Sequence, residues 1–334
     1  MNRAIWLFLL MLVVACGEPQ IEIQTDESSG QQEVLQSWNE GPAKQRIIDF
    51  VNSVTDEDSP EFVPVERRIA CFDNDGTLWS EKPLYFQLFF AFDRIRFLAD
   101  DHPEWKDESP FREVLAGEYE KALSGGEEAI VELVMATHSG LSTTAFEQAV
   151  STWIDTARHP VTGLRYPEMV YQPMLELLDY LRANDFTTFI VSGGGIDFMR
   201  PWASAAYGIP THQIIGSMGN LRYDDSGEAP AIMKESGLYF LDDKEGKPIQ
   251  IQRAIGLQPI LIGGNSDGDY DMLRYATADN PHSSLGIIVH HTDAEREFAY
   301  DRESSVGRLN RGLDEASSRG WLLIDMKEDW SSVW

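Results

Sequence analysis

The 334-residue chain is short of basic side chains, of cysteine and of long apolar stretches. Lysine and arginine number 27 against 55 aspartates and glutamates, a formal charge of −28. Such a balance, with no basic cluster, repels a phosphate backbone, because nucleic-acid affinity comes largely from cationic side chains that displace counterions. A nucleic-acid partner is therefore excluded. Two cysteines, Cys16 and Cys71, allow one disulfide at most. The apolar run from Leu7 to Val14 falls well short of the roughly 20 residues that a spanning helix needs. What the chain does have is length for about two average domains and 11% aromatic residues, enough for a real core and too many for a disordered acidic polymer.

Arg3, the apolar run and then Val13-Val14-Ala15-Cys16 have the layout of a secretion signal over residues 1–15. Small Ala15 before Cys16 resembles the lipobox of bacterial lipoproteins, in which the cysteine receives lipid and becomes the first residue; an ordinary cleaved signal with an incidental cysteine is the alternative. Gly17 after it resembles the signal for outer-membrane sorting. The expected location is thus the cell envelope, lipid-anchored through Cys16, on the periplasmic side of the outer membrane if the source is Gram-negative. Residues 16–40 are polar, acidic and poor in large apolar groups, and read as a flexible tether.

From Pro42 a helix is expected, with Ile47, Ile48, Phe50, Val51 and Val54 at helical spacing. Short buried strands are expected at 67–72, 186–191, 259–262 and 285–289. The first three end in polar clusters: Asp73-Asn74-Asp75-Gly76-Thr77, Ser192-Gly193-Gly194-Gly195, and Gly263-Gly264-Asn265-Ser266-Asp267-Gly268-Asp269. Strands alternating with helical patterns imply an α/β, Rossmann-like parallel sheet with helices on both faces, and ligands at the carboxyl ends of the strands. About a hundred residues of helical periodicity separate the first two strands, which predicts an inserted helical cap at 84–165 on a core of 41–83 and 166–334. A hairpin is expected within 216–240.

Asp73-Asn74-Asp75-Gly76-Thr77 resembles the D-x-D-G-T motif of the haloacid dehalogenase-like hydrolases. Ser192, Lys247 and the segment Gly264 to Asp269 resemble that family's second, third and fourth motifs, in order, over about residues 67–289. The insert between the first and second motifs is similar to the cap of the phosphoserine-phosphatase branch. The resemblance implies a Mg²⁺-dependent phosphomonoester hydrolase acting on a small, phosphoserine-like organic phosphate. Another phosphoryl or phosphonate reaction on the same scaffold, or a non-catalytic phosphate-ester-binding lipoprotein, are the rival readings.

The chemistry of the residues agrees with a phosphatase. A carboxylate at a strand end, Asp73, attacks phosphorus and forms an aspartyl-phosphate. Asp75, two residues on, protonates the leaving alkoxide and then deprotonates the attacking water. Thr77, Ser192, Gly193 and Lys247 are expected to bind phosphate, with Gly194 adding a backbone N–H at a helix N-terminus. Lys244 competes with Lys247 for its role. Mg²⁺ is expected on Asp73, the main-chain carbonyl of Asp75, Asn265 and Asp269, with Asp267 as a substitute. Asn265 stands where the family pattern has an acidic residue, which lowers the charge offered to the metal. His290 and His291 are read as structural or rim residues, Cys71 as a small core residue, and Trp321, Trp330 and Trp334 as packing. The sequence indicates no protein partner.

Overall fold

The computed structural model describes residues 34–334. The expected signal, Cys16 and most of the tether lie outside the described residues. Within the span expected to be a tether, Leu35 and Trp38 are buried against the body of the chain. The Trp38 ring meets Trp330 edge-on at 6.0 Å, and its indole N–H donates to the Pro173 carbonyl at 2.9 Å.

The chain runs through α1 (Pro42–Thr55) and β1 (Ile69–Phe72), then five helices, α2 (Phe86–Leu98), α3 (Phe111–Ala116), α4 (Tyr119–Ala122), α5 (Glu127–His138) and α6 (Thr143–Thr156). It continues through α7 (Gln172–Ala183), β2 (Thr187–Gly195), α8 (Ile196–Tyr207), β3 (Ile214–Asp224), β4 (Ala231–Phe240), α9 (Gly246–Ala254) and β5 (Leu261–Gly264). The last elements are α10 (Tyr270–Thr277), β6 (Leu285–His290), α11 (Arg311–Glu315) and β7 (Leu322–Asp325), apart from short single turns. The seven strands lie in the order β4-β3-β2-β1-β5-β6-β7, all pairs parallel except β3 with β4. This is a Rossmann-like α/β fold.

Central β1 and β5 are buried at every residue, as continuous apolar strands covered on both faces must be. The helix expected at Pro42 forms and turns Ile47, Phe50, Val51 and Val54 inward. Proline at its first turn lacks only an N–H that has no partner in a helix anyway. Ser142 caps α6 by accepting the Ala145 N–H at 3.1 Å. The helix α6 lies against α8, and α5 against β4, so the segment between β1 and β2 covers the carboxyl end of β2.

Some boundaries differ from expectation. β1 begins at Ile69 rather than 67, because Val65–Arg67 form a single tight turn and the Arg68 side chain bonds the Val63 and Asn184 carbonyls. β2 runs on through Gly195, with its register against β3 shifting between Ser192 and Gly195. The hairpin is β3–β4. β7, an edge strand with one fully buried residue in four, is the apolar run Leu322-Leu323-Ile324, for which no strand was expected. Trp321 and Trp330 are buried, whereas Trp334 retains 37% exposure.

Candidate active site

With β2 on one flank of β1 and β5 on the other, the topology brings three strand ends together. Asp73 follows β1, Ser192 lies in the end of β2, and Asn265 follows β5. Lys247, two residues into the sequence of α9, is 2% exposed and bridges two carboxylates. Its Nζ lies 2.5 Å from Asp73 Oδ1 and 2.6 Å from Asp269 Oδ1. Burial opposes charge on this lysine, yet Asp269 and Asp73 outweigh it and hold the ammonium above the ordinary lysine range. Lys244 instead points its largely exposed side chain to Asp243 at 3.7 Å, which leaves Lys247 as the site's cation.

Asp73 Oδ2 meets no hydrogen-bond donor among the described residues. Burial and the neighbouring Asp269 raise the Asp73 pKa, and Lys247 pulls it back down. Asp75 Oδ1 accepts the Trp79 indole N–H at 2.8 Å. Burial, only partly offset by Trp79 and Lys247, lifts its pKa to about 6. A Cβ built on Gly194 would stand 3.4 Å from Asp75 Oδ2, 3.3 Å from Ser192 Oγ and 3.6 Å from Gln87 Oε1. These three polar groups therefore converge on one glycine.

Residues 70–274, about three-fifths of the chain, match the family pattern of the haloacid dehalogenase-like hydrolases. The chain belongs to that family. No curated protein matches the sequence significantly. Among solved structures, a conserved protein of unknown function from Anaerococcus prevotii DSM 20548 is 17% identical with a TM-score of 0.49, covering 75% of this chain and 85% of its own. A phosphoserine phosphohydrolase-like protein from Francisella tularensis subsp. tularensis SCHU S4 is 16% identical with a TM-score of 0.38, covering 75% and 98%. A probable phosphoserine phosphatase from Vibrio cholerae is 14% identical with a TM-score of 0.37, covering 78% and 67%.

Several residues of this haloacid dehalogenase-like hydrolase do other work than their motif positions implied. Thr77 was expected to bind phosphate; its hydroxyl instead donates to Asn265 Oδ1 at 3.2 Å and its N–H to the Asn74 carbonyl, so it braces the loops. The glycines after Ser192 do not open a helix, since α8 begins only at Ile196. The Gly194 N–H donates to Ser192 Oγ at 3.0 Å, and the Gly195 N–H to Gln87 Oε1 at 2.8 Å. What this element offers a phosphate is the Ser192 hydroxyl proton, for which no acceptor appears among the described residues. Gly193 stays at the site, next to Asp243.

The metal set also changes. Asp269 Oδ2 takes the N–H groups of Asn265 and Ser266 at 3.0 Å each and the Ser266 hydroxyl at 3.2 Å, while Oδ1 holds Lys247. With both oxygens committed, it shapes the loop rather than offering a free ligand. Asp267, the substitute ligand, turns to α11 and accepts the N–H groups of Asn310, Arg311 and Gly312. The oxygens still free to take Mg²⁺ are Asp73 Oδ2 and the Asp75 carbonyl, which no donor reaches among the described residues. Asn265 Oδ1, which among the described residues takes only the Thr77 hydroxyl, is a third candidate. Hard oxygens around a cluster in which one lysine faces two carboxylates fit that cation.

Three participants escaped the sequence reading: Gln87, Trp79 and Glu81. Gln87 is the lone polar residue in an aromatic run, a signal that was there to see. Glu81 is 2% exposed and accepts from Asn265 Nδ2 at 2.7 Å and from the Tyr300 hydroxyl at 2.8 Å. It takes the amide hydrogens of Asn265 and so fixes which end of that side chain faces Thr77. Gly76 makes room for this pair. Its φ is +74°, and a Cβ there would stand 2.1 Å from Asn265 Nδ2 and 2.4 Å from Glu81 Oε1. His291 holds the same loop from outside through the Gly76 carbonyl at 2.7 Å. Burial holds the Cys71 thiol far above its ordinary range, as befits a core residue.

Burial raises Glu81 to about 8 and Asp242 to about 7, and neither oxygen of buried Asp242 has a hydrogen-bond partner among the described residues. Carboxyls whose folded pKa is raised bind protons more tightly when folded, so their contribution to stability is present below the unfolded values near 4 and is lost as pH rises through 7 to 8. At full effect, a tenfold difference in proton affinity between the folded and unfolded chains corresponds to about 1.4 kcal/mol. Thermal melts of chelator-treated protein should therefore show a lower melting temperature at pH 8.5 than at pH 5.5. An unchanged or higher value at pH 8.5 would contradict this assignment.

Proposed function

We propose that the protein is a Mg²⁺-dependent phosphomonoester hydrolase that works through an aspartyl-phosphate on Asp73. The observation that carries this reading is the pairing of a lysine-anchored Asp73, one oxygen free, with a second carboxyl, Asp75, lifted to about 6. Asp73 attacks phosphorus as the ester oxygen leaves. Asp75, protonated, hands that oxygen its proton; as carboxylate it then takes a proton from the water that cleaves the aspartyl-phosphate. Ser192 and Lys247 steady the phosphoryl oxygens. Asp73, the Asp75 carbonyl and Asn265 would hold Mg²⁺, which supplies positive charge to the phosphoryl group when bound.

The second carboxyl is what separates this chemistry from dehalogenation, since a halide leaves without a proton. A cap-lysine phosphonatase has less support: the exposed Lys121 is paired with Glu118 and buried Glu113, and Lys106 sits in a short exposed turn. Phosphate release from small phosphomonoesters, with and without chelator, tests the proposal. Release that persists unchanged after metal removal argues against the Mg²⁺ dependence, and no release from any ester argues against the activity.

Envelope anchoring through Cys16 is part of the same proposal, supported by the Ala15-Cys16-Gly17 pattern. Labelled palmitate should enter the wild-type chain expressed in a Gram-negative host and be lost in Cys16→Ser. Equal labelling of both chains would remove the lipid anchor.

A further inference from the structure

A cavity of about 120 Å³ opens beside the second motif, touching Gly193, Gly195 and Gln87. Gly194, between those glycines, faces Asp75 Oδ2. The oxygen protonated by Asp75 is the ester's leaving oxygen, so the carbon skeleton attached to it extends from this point. The cavity is the space adjoining it on the Gln87 side. Its far walls are Ile130, Val134 and Met135 of α5, Phe198 of α8, Met218 of β3 and Leu238 of β4.

The polar groups on those walls are already engaged. Gln87 Oε1 takes the Gly195 N–H, and its Nε2 lies 3.1 Å from His138 Nε2. That contact makes His138 Nε2 the acceptor and places its proton on Nδ1, 2.9 Å from Thr137 Oγ1. Burial, with Lys234 nearby, lowers His138 to about 3 and keeps it neutral. Lys234, 5% exposed, is paired with Asp197 and lies over the Phe146 ring at 4.7 Å. Glu235, at the rim, is paired with Arg222 at 2.6 Å. No charged group on the wall is left without a partner.

We propose that the alcohol part of the substrate is apolar and uncharged, an arylmethyl or branched-alkyl group of about single-ring size, and that it occupies this cavity. The inference rests on the phosphomonoesterase reading. The volume is of the order of the roughly 150 Å³ cavity known to hold a benzene ring. A phosphoserine would bring an ammonium and a carboxylate against walls that offer neither of them an unpaired counter-charge, and burying charge without a partner is strongly unfavourable. The proposal thus sets an apolar alcohol against the phosphoserine-like substrate expected from the family resemblance.

The test compares kcat/KM of the intact Mg²⁺-loaded protein for benzyl phosphate, O-phosphoserine and methyl phosphate, in wild type and in Val134→Phe, which fills the cavity. Calorimetry with 2-phenylethylphosphonate and 2-amino-4-phosphonobutanoate gives the same comparison without turnover. Benzyl phosphate should exceed phosphoserine by roughly tenfold or more, the order that pocket hydrocarbon contacts supply. Val134→Phe should remove most of that advantage and leave methyl phosphate unaffected. Equal or better use of phosphoserine, or an equal effect of Val134→Phe on benzyl and methyl phosphate, overturns the proposal. If Val134→Phe does not fold, the wild-type ratio decides. If no ester is hydrolysed, the phosphomonoesterase reading falls by itself, and the two phosphonate affinities decide for or against the cavity.

Discussion

Asp73→Asn protein should fold normally and release phosphate at least about 10⁴-fold more slowly than wild type, the order of loss when a catalytic nucleophile is removed. The substitution is close to isosteric, so the loss would come from chemistry rather than packing. It leaves Lys247 its second partner, Asp269, at 2.6 Å, and so does not strand a buried cation. It also removes a carboxyl that burial and Asp269 penalise when charged, so the melting temperature should hold steady or rise. Acid-quenched wild-type enzyme given labelled substrate should carry an acyl-phosphate that hydroxylamine removes, and the variant none. Comparable turnover by Asp73→Asn would sink the proposed nucleophile.

The second large effect is on Asp75→Asn, where the loss should depend on the leaving group. Its carboxyl, at about 6, is poised to give a proton to the departing oxygen and to accept one from water. An amide at this position can do neither, and general acid–base catalysis is worth about 10²–10⁴-fold. For an alkyl phosphate both steps should slow. For p-nitrophenyl phosphate, whose anion leaves without help, formation of the aspartyl-phosphate should survive and its hydrolysis should fail, giving a burst of nitrophenolate with little turnover. The wild-type kcat/KM for an alkyl ester should fall as pH rises above about 6, because the protonated carboxyl is the active form, and that limb should vanish in the variant. A uniform loss across leaving groups, with the pH limb intact, would assign Asp75 a merely structural role.

The legibility of this protein followed the range of its interactions. That Asp73, Asp75 and Ser192 lie together could be read because a buried strand and the polar cluster at its end are neighbours in sequence, and strand alternation with helices implies where those ends meet; Lys247, in a helix, came only from its place in the motif order. Thr77 and Asp267 were misread for the converse reason. Their partners, Asn265 and the N–H groups at Asn310 to Gly312, are brought to them from far along the chain. Glu81 was invisible as a partner of Asn265, 184 residues away, since no periodicity connects the two.

By itself, then, the sequence determined the sheet class, the order of the motifs and which polar residues end the strands, since those depend on local apolar runs and on the residues that end them. If the substrate is an anionic ester, a chain with a charge of −28 must draw it by local groups rather than by net charge. Only the tertiary structure decided which oxygens remain free. Asp269 closes its own loop, Gln87 takes the Gly195 N–H, and α5 lies over the β3–β4 hairpin to enclose an apolar cavity beside Asp75. Whether a polar atom is free for substrate depends on every other donor and acceptor that packing brings within about 3 Å, and that sum is taken in space rather than along the chain.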